Sequence, residues 1–317
     1  MDNIKVKEYL TIQQQIKHLT EQGLICEKSV AENYLNSIGY FKLINAYRRP
    51  FIKKINSQRE YIDGTKIQDI HALYLFDKNL QELLLSYTSM LEIDIKAKII
   101  ALISEKYGVK EDDWLRAENF RPDVPNRNEK SFIDIKTRIL DDIKKQKNRN
   151  PAIKHFATTH SYYPFWVATS ILTFGVVSQL YSKMTRTDQT QISRQYHILP
   201  ETLESILQLS VLFRNASAHN NVTYSYKAND IAAKGIKKVY ERLSIPKDEF
   251  GKYKHGINDL FALIIVLKIM LPRADLRRFL GQFNRLLSII KRKLPEHIYE
   301  IIFNIMNLPP NYMDIVK

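Results

Sequence analysis

TKIQDIHALYLFDKNLQELLLSYTSMLEIDIKAKIIALISEKY, residues Thr65–Tyr107, holds neither Gly nor Pro. Within it Ile70, Leu73, Asp77, Leu80, Leu84, Tyr87, Leu91, Ile95, Lys98 and Leu102 recur at the three- and four-residue spacing of a single helical stripe. The segment reads as one long helix or two in close succession. Asp77 falls on this mostly apolar face, where an unpaired carboxylate costs roughly several kcal/mol. It therefore requires a cationic or amide partner, and a structural ion pair is expected ahead of a catalytic role.

On the N-terminal side, Thr11-Ile12-Gln13-Gln14 and Ser29-Val30-Ala31-Glu32 have the form of capping boxes, each followed by apolar residues at helical spacing. Two short helices separated by Gly23 are expected. The stretch Tyr40 to Phe51 interleaves aromatic and basic residues, including Lys42, Arg48 and Arg49, and predicts a third helix that ends before Pro50.

On the C-terminal side, Phe120 to Lys130 holds Pro122 and Pro125 among polar side chains and reads as a loop. A further helix ends in a run containing Lys144, Lys145, Lys147 and Arg149 before Pro151. These cations suit a helix C-terminus, and they also offer contacts to RNA phosphates. Pro164 to Lys183 reads as one apolar helix and Thr202 to Ala218 as another. Three helical patterns follow, the clearest having an apolar face of Leu276, Phe279, Leu280, Phe283, Leu287 and Ile290 with Arg277, Arg278, Arg285, Lys291 and Arg292 around it. Core packing with a solvated basic face is the default for it.

Composition agrees with an all-α chain. The 317 residues are 44% hydrophobic, enough for a substantial core, and contain only 9 Gly and 11 Pro. Lys and Arg outnumber Asp and Glu by 48 to 34, a formal net charge of +14, which favours polyanionic partners. The single cysteine, Cys26, excludes an internal disulfide and any multi-Cys zinc site, and a cytoplasmic setting is expected. The most apolar stretch, Leu260 to Leu271, is interrupted by Lys268 and falls short of the roughly 20 residues that span a bilayer. His155 and His160 lack ligand neighbours, so neither a metal nor another cofactor is expected.

The chemistry lies in Arg214-Asn215-Ala216-Ser217-Ala218-His219. On a regular helix, residues five apart are turned about 140° from each other, so the helix must end or distort there for both groups to reach one phosphate. Asn220, Asn221 and the run Val222-Thr223-Tyr224 support such an end. The set suits RNA transesterification, in which the ribose 2′-hydroxyl attacks the adjacent phosphorus. Histidine moves a proton near neutral pH, and arginine offers a planar fork of donors to the phosphorane oxygens. Taken alone, the six residues favour a plainer account, in which His219 caps or pairs locally and Arg214 makes an ion pair.

The wider pattern resembles the Abi-like family of bacterial abortive-infection proteins, of the AbiD and AbiF type, a branch of the HEPN superfamily. The residues that carry the resemblance are Leu35 to Leu43 with Tyr47 and Pro50-Phe51; Leu73 to Leu80 with Leu91-Glu92-Ile93; Tyr163-Pro164-Phe165-Trp166 leading into Leu172 to Ser178; and Leu212 to Asn220. The resemblance implies a HEPN-like helical bundle with additional N- and C-terminal helices: a segment over 1–62, a core with the Arg214/His219 motif over 63–245, and an extension over 246–317. It implies a metal-independent endoribonuclease acting in phage defence or as a toxin, resting on Arg214, Asn215 and His219, with Trp166 and Asn220 in support. It also implies a homodimer in which two motifs form a composite site, and a regulatory small RNA as a possible partner beside the RNA substrate. One position departs from the family pattern. Ser170 stands where a Glu is often found, so Glu92, Asp94 or Asp77 would have to orient the Arg or His in its place. A non-catalytic RNA-binding or antitoxin-like module is the alternative.

Overall fold

In a computed structural model of the chain, residues 8–55, 58–122, 131–228, 237–241, 243 and 245–317 are described. The expected loop from Phe120 to Lys130 lies mostly outside them. Two short helices open the fold, α1 (Ile12–Glu21) and α2 (Lys28–Ser37). The Thr11/Gln14 capping box forms as expected: the Thr11 hydroxyl accepts from the Gln14 N–H at 3.4 Å and the Gln14 carbonyl from the Thr11 N–H at 2.8 Å. Ser29 does not cap. Glu27 already occupies that position, and the Ser29 hydroxyl donates to its carboxylate at 3.2 Å. The helix expected before Pro50 is wound as a π-turn over Phe41–Asn45.

Next comes an element the sequence did not announce, a hairpin of β1 (Ile52–Ile55) and β2 (Gln58–Tyr61), with Ile52 opposite Tyr61. The fold is otherwise helical. The Thr65–Tyr107 stretch is one helix, α3 (Ile67–Tyr107), 41 residues and so about 60 Å long. Asp69 starts it by accepting the Lys66 N–H at 2.8 Å, and Gly108, at φ +93°, ends it.

The helices α4 (Glu111–Trp114), α5 (Phe132–Gln146) and α6 (Pro151–Thr159) follow. The single helix expected from Pro164 to Lys183 is two, α7 (Phe165–Ala168) and α8 (Phe174–Lys183). The break has a local cause: the hydroxyls of Thr169 and Ser170 turn back onto the carbonyls of Trp166 and Val167, and Thr173 caps α8. The freed Leu172 carbonyl accepts from Lys96 of α3 at 2.8 Å.

After α9 (Arg186–Ser193), α10 (Pro200–Ala218) begins on a proline, whose missing N–H is harmless in a first turn. The remaining helices are α11 (Lys237–Tyr240), α12 (Leu260–Met270), α13 (Arg273–Lys293), α14 (Glu296–Met306) and α15 (Tyr312–Val316). Every residue from Leu260 to Leu267 is buried, as befits a helix that is apolar all round. No described helix is long and apolar enough to cross a membrane.

The spine is α3, which buries residues on several faces. Both α10 and α13 run antiparallel to it. Glu92 meets Arg214 while Lys78 meets Asn220 on one side, and Tyr87 meets Gln282 while Ala72 and Lys293 share a cavity on the other. One continuous apolar core extends from Leu19 to Val316.

Candidate active site

The Arg214–His219 motif occupies the last turn of α10, and the helix does end there. Asn220 takes the left-handed conformation at φ +56°, its N–H reaches the Ser217 carbonyl at 3.3 Å, and the Asn221 N–H reaches the Ala216 carbonyl at 3.0 Å. This is a Schellman termination with asparagine, the side chain that best tolerates the left-handed region after glycine. It leaves His219 as the exposed last residue of the helix.

What happens next in the chain is set by Asp77. This fully buried carboxylate accepts from the Thr223 N–H at 3.0 and 3.1 Å, the Tyr224 N–H at 2.7 Å, the Tyr47 hydroxyl at 2.8 Å and the Gln81 amide at 3.0 Å. Gln81 donates in addition to the Asn221 carbonyl at 2.7 Å. The expected ion pair is therefore replaced by a set of neutral donors, two of them backbone. Burial pushes the pKa of Asp77 up, and the bonds from Thr223, Tyr47, Tyr224 and Gln81 oppose that shift. The result is a clamp that fixes residues 221–224 to α3, and His219 with them.

His219, Asn220, Asn221 and Val222 form one wall of a pocket of about 610 Å3. Lys78 and Tyr74 of α3, the π-turn residues Phe41 and Lys42, and Ala46 and Tyr47 line the rest. The Lys78 ammonium donates to the Asn220 carbonyl oxygen Oδ1 at 2.7 Å and to Gln81 Oε1 at 3.1 Å, and lies 5.6 Å from the Tyr74 ring centre. Partial burial, and then the nearby Lys42, lower the Lys78 pKa from that of an ordinary lysine; Asp77 and Glu82 act the other way. Phe41 is 77% exposed, a large apolar ring held out at the rim. Tyr74 belongs to a stack of rings, Tyr34 on His71 at 3.9 Å and His71 on Tyr74 at 5.9 Å. Two lysines, an exposed imidazole and an open aromatic face can hold a phosphodiester and stack an adjoining base.

Arg214 does not line this pocket. Its Nε lies 4.0 Å from Glu92 Oε2 and has no hydrogen-bond partner among the described residues, while the other Glu92 oxygen is bound by Lys96 at 2.7 Å. Arg214 thus approaches Glu92, whereas His219 lines the pocket. Among the carboxylates that could replace the family's Glu, Glu92 is the one beside Arg214. Asp94 is engaged by Lys98 and the Tyr196 hydroxyl, and Asp77 by the clamp. Ser170 is exposed and its hydroxyl donates to the Val167 carbonyl of its own turn at 2.7 Å.

The other expected site residues lie apart. Asn215 is exposed, with its carbonyl accepting the His219 N–H at 2.9 Å. Of the basic residues in the Tyr40 to Phe51 stretch, Lys42 lines the pocket, whereas Arg48 and Arg49 do not. Lys144, Lys145, Lys147 and Arg149 are exposed at the end of α5, and Trp166, 44% exposed, opens α7; none of these borders the pocket. Reading the sequence missed Lys78, Tyr74 and Phe41. The signal that could have found Lys78 is its place directly after the one acidic residue on the α3 stripe. Among the described residues no cluster of three or more His, Cys, Asp or Glu could hold a metal ion.

A family model described as Abi-like protein matches residues 33–225 of the chain. No curated protein and no solved structure matches it. The matched residues run from α2 to Ser225, just past the clamp, and so contain every element that builds the pocket.

Proposed function

The chain belongs to the Abi-like protein family, and on that premise we propose that it is an endoribonuclease of phage defence or growth arrest that cleaves RNA by transesterification without a metal. The observation that carries this reading is the placement of His219 at a helix end inside a pocket with two lysines and an open aromatic rim. Lys42 and Lys78 hold the scissile phosphate. His219 removes the 2′-hydroxyl proton as the 2′-oxygen bonds to phosphorus, and the bond to the 5′-oxygen breaks as that oxygen takes up a proton. A 2′,3′-cyclic phosphate and a 5′-hydroxyl result. DNA, lacking the nucleophile, is left intact.

The separation of Arg214 from the His219 pocket supports a composite site. In a homodimer the two motifs face one another across a cleft, one histidine acting as base and the other as acid, with the Arg214 side chains, freed from their 4.0 Å approach to Glu92, on the phosphorane oxygens. A small RNA that occupies the cleft would keep such an enzyme silent.

The same separation is what favours the second reading, a non-catalytic RNA-holding module. Labelled single-stranded RNA distinguishes the two. Wild-type protein yields cyclic-phosphate ends, and His219→Ala and Arg214→Ala each abolish them while retaining the wild-type circular dichroism spectrum and oligomeric state. RNA bound but never cut, or full activity in either variant, overturns the nuclease reading.

A further inference from the structure

We propose that an RNA strand seated at His219 continues across the flank of α3 into the groove between α3 and α13, where Arg285 and Arg278 hold its phosphates. The proposal rests on the reading of the His219 pocket as an RNA site. It assigns a role to helix α13, which lies outside the residues matched by the family model.

The groove encloses about 620 Å3 and is open to solvent along its length, with Leu83, Met90, Leu286 and Ile289 as an apolar floor. Its rim is polar. Gln282 accepts the Tyr87 hydroxyl through its Oε1 at 3.0 Å, which leaves its NH2 group to donate. Arg285 is exposed and, among the described residues, has no carboxylate or hydrogen-bond partner. Arg278 is exposed and shares Asp275 at 3.0 Å, the single acidic side chain of α13 against seven basic ones. An unneutralised basic helix beside an apolar floor fits a chain of alternating charge and flat base better than it fits a lone anion.

Continuity with the first pocket follows from helix geometry. Lys78 lines the His219 pocket, and Glu82 and Ser86 line the groove. At 100° per residue Glu82 is turned only about 40° from Lys78 and Ser86 about 80°, with Ser86 about 12 Å further along the axis. The remaining α3 residues of the groove, Asn79, Leu83, Met90 and Tyr87, lie about 100–180° from Lys78, so the Glu82 edge of the groove adjoins the first pocket while its body turns towards the α13 side of the helix. Glu82 repels phosphate but accepts from an exocyclic amino group, so the strand should favour a base bearing one, such as cytosine, at that point.

The test uses the full chain carrying His219→Ala, so that RNA is bound and not cut, with single-stranded RNAs from a tetranucleotide to a hexadecanucleotide and fluorescence anisotropy as the readout. Affinity should rise with length. Arg285→Glu, and separately Arg278→Glu, should each weaken the hexadecanucleotide about tenfold, reduce the slope of log affinity against log salt by about 1, and abolish most of the gain with length. Arg285→Ala, with no charge reversal, should show the same pattern more weakly. Wild-type-like affinity and salt slope in all three variants, with RNA still bound tightly, overturns the groove and leaves the His219 reading standing. Absence of RNA binding at every length, together with absence of cleavage by the native chain, overturns both. Equal loss of affinity for single-stranded DNA of the same length would leave the groove standing as a site for the backbone and bases.

Discussion

Replacing Asp77 with alanine is the most informative perturbation of the scaffold. The substitution strands the Thr223 and Tyr224 N–H groups and the Tyr47 hydroxyl, which belong to residues 0%, 1% and 2% exposed, while Gln81 keeps its bond to the Asn221 carbonyl at 2.7 Å. A buried donor without a partner costs about 1–3 kcal/mol, so three of them cost about 3–6 kcal/mol once some water follows through the adjoining pocket. That is a large part of the 5–15 kcal/mol typical of a folded domain. Asp77→Asn keeps the shape and one acceptor oxygen for the two backbone donors, and its NH2 group can donate to the Tyr47 oxygen, so its cost should be about 1–2 kcal/mol. Urea denaturation at constant m-value measures both, and hydrogen exchange of the Thr223 and Tyr224 amides localises the effect. A loss below about 1 kcal/mol in Asp77→Ala, or an Asp77→Asn as damaging as the alanine variant, would refute the account of Asp77 as the acceptor that clamps this loop.

Four further outcomes are expected. Equal mixing of wild-type and His219→Ala chains, followed by subunit exchange, should leave about a quarter of the wild-type RNA cleavage if one cleft needs both histidines; about half would mean that each chain works alone. A metal chelator should leave cleavage rates unchanged, and strict dependence on added Mg²⁺ would point to another mechanism. Lys78 sits below the usual lysine range because burial and Lys42 disfavour its charge, with Asp77 and Glu82 opposing; cleavage should accordingly fade on the alkaline side earlier than an ordinary lysine would dictate. Lys78→Arg should move that alkaline limb upward in a pH–rate profile, whereas Lys78→Met should lower the rate at every pH. Asn220→Gly should leave the melting temperature within a few degrees, since glycine accepts the left-handed turn, yet it should reduce cleavage by releasing Lys78; Asn220→Val should lower the melting temperature as well, as an L-residue at φ +56° costs about 1–2 kcal/mol.

Local rules carried far where the determining groups are near one another in the chain. The unbroken Thr65–Tyr107 stretch, the Thr11/Gln14 cap, the amphipathic pattern of α13 and the helix end after His219 all depend on contacts within a turn or two. The hairpin at Ile52–Tyr61 escaped because four-residue strands are too short to display alternation. The break before Phe174 escaped because its causes are hydroxyls folding back on the chain and a lysine on another helix. Most of the site was hidden for the same reason. Lys78 acquires its place from Asn220, 142 residues away, and two of the donors to Asp77 are backbone groups, which no residue pattern reveals. Conversely, Arg214 and His219 were visible as a pair, although of the two only His219 lines the pocket.

The same clamp has a consequence for the order in which the molecule assembles. Asp77 and Thr223 are separated by 146 residues, so the bonds that seat His219 close a long loop of the chain. Contacts of such separation form late, after local helices are in place and the entropy of closure has been met. The helix α3 can therefore exist, and its carboxylate wait, before there is any site to regulate. Pulse-labelled exchange during refolding should find the α3 amides protected before those of Thr223 and Tyr224. A chain interrupted before that point would be folded in part without a seated His219, and for the ribonuclease proposed above this delay would be a safeguard written into its topology.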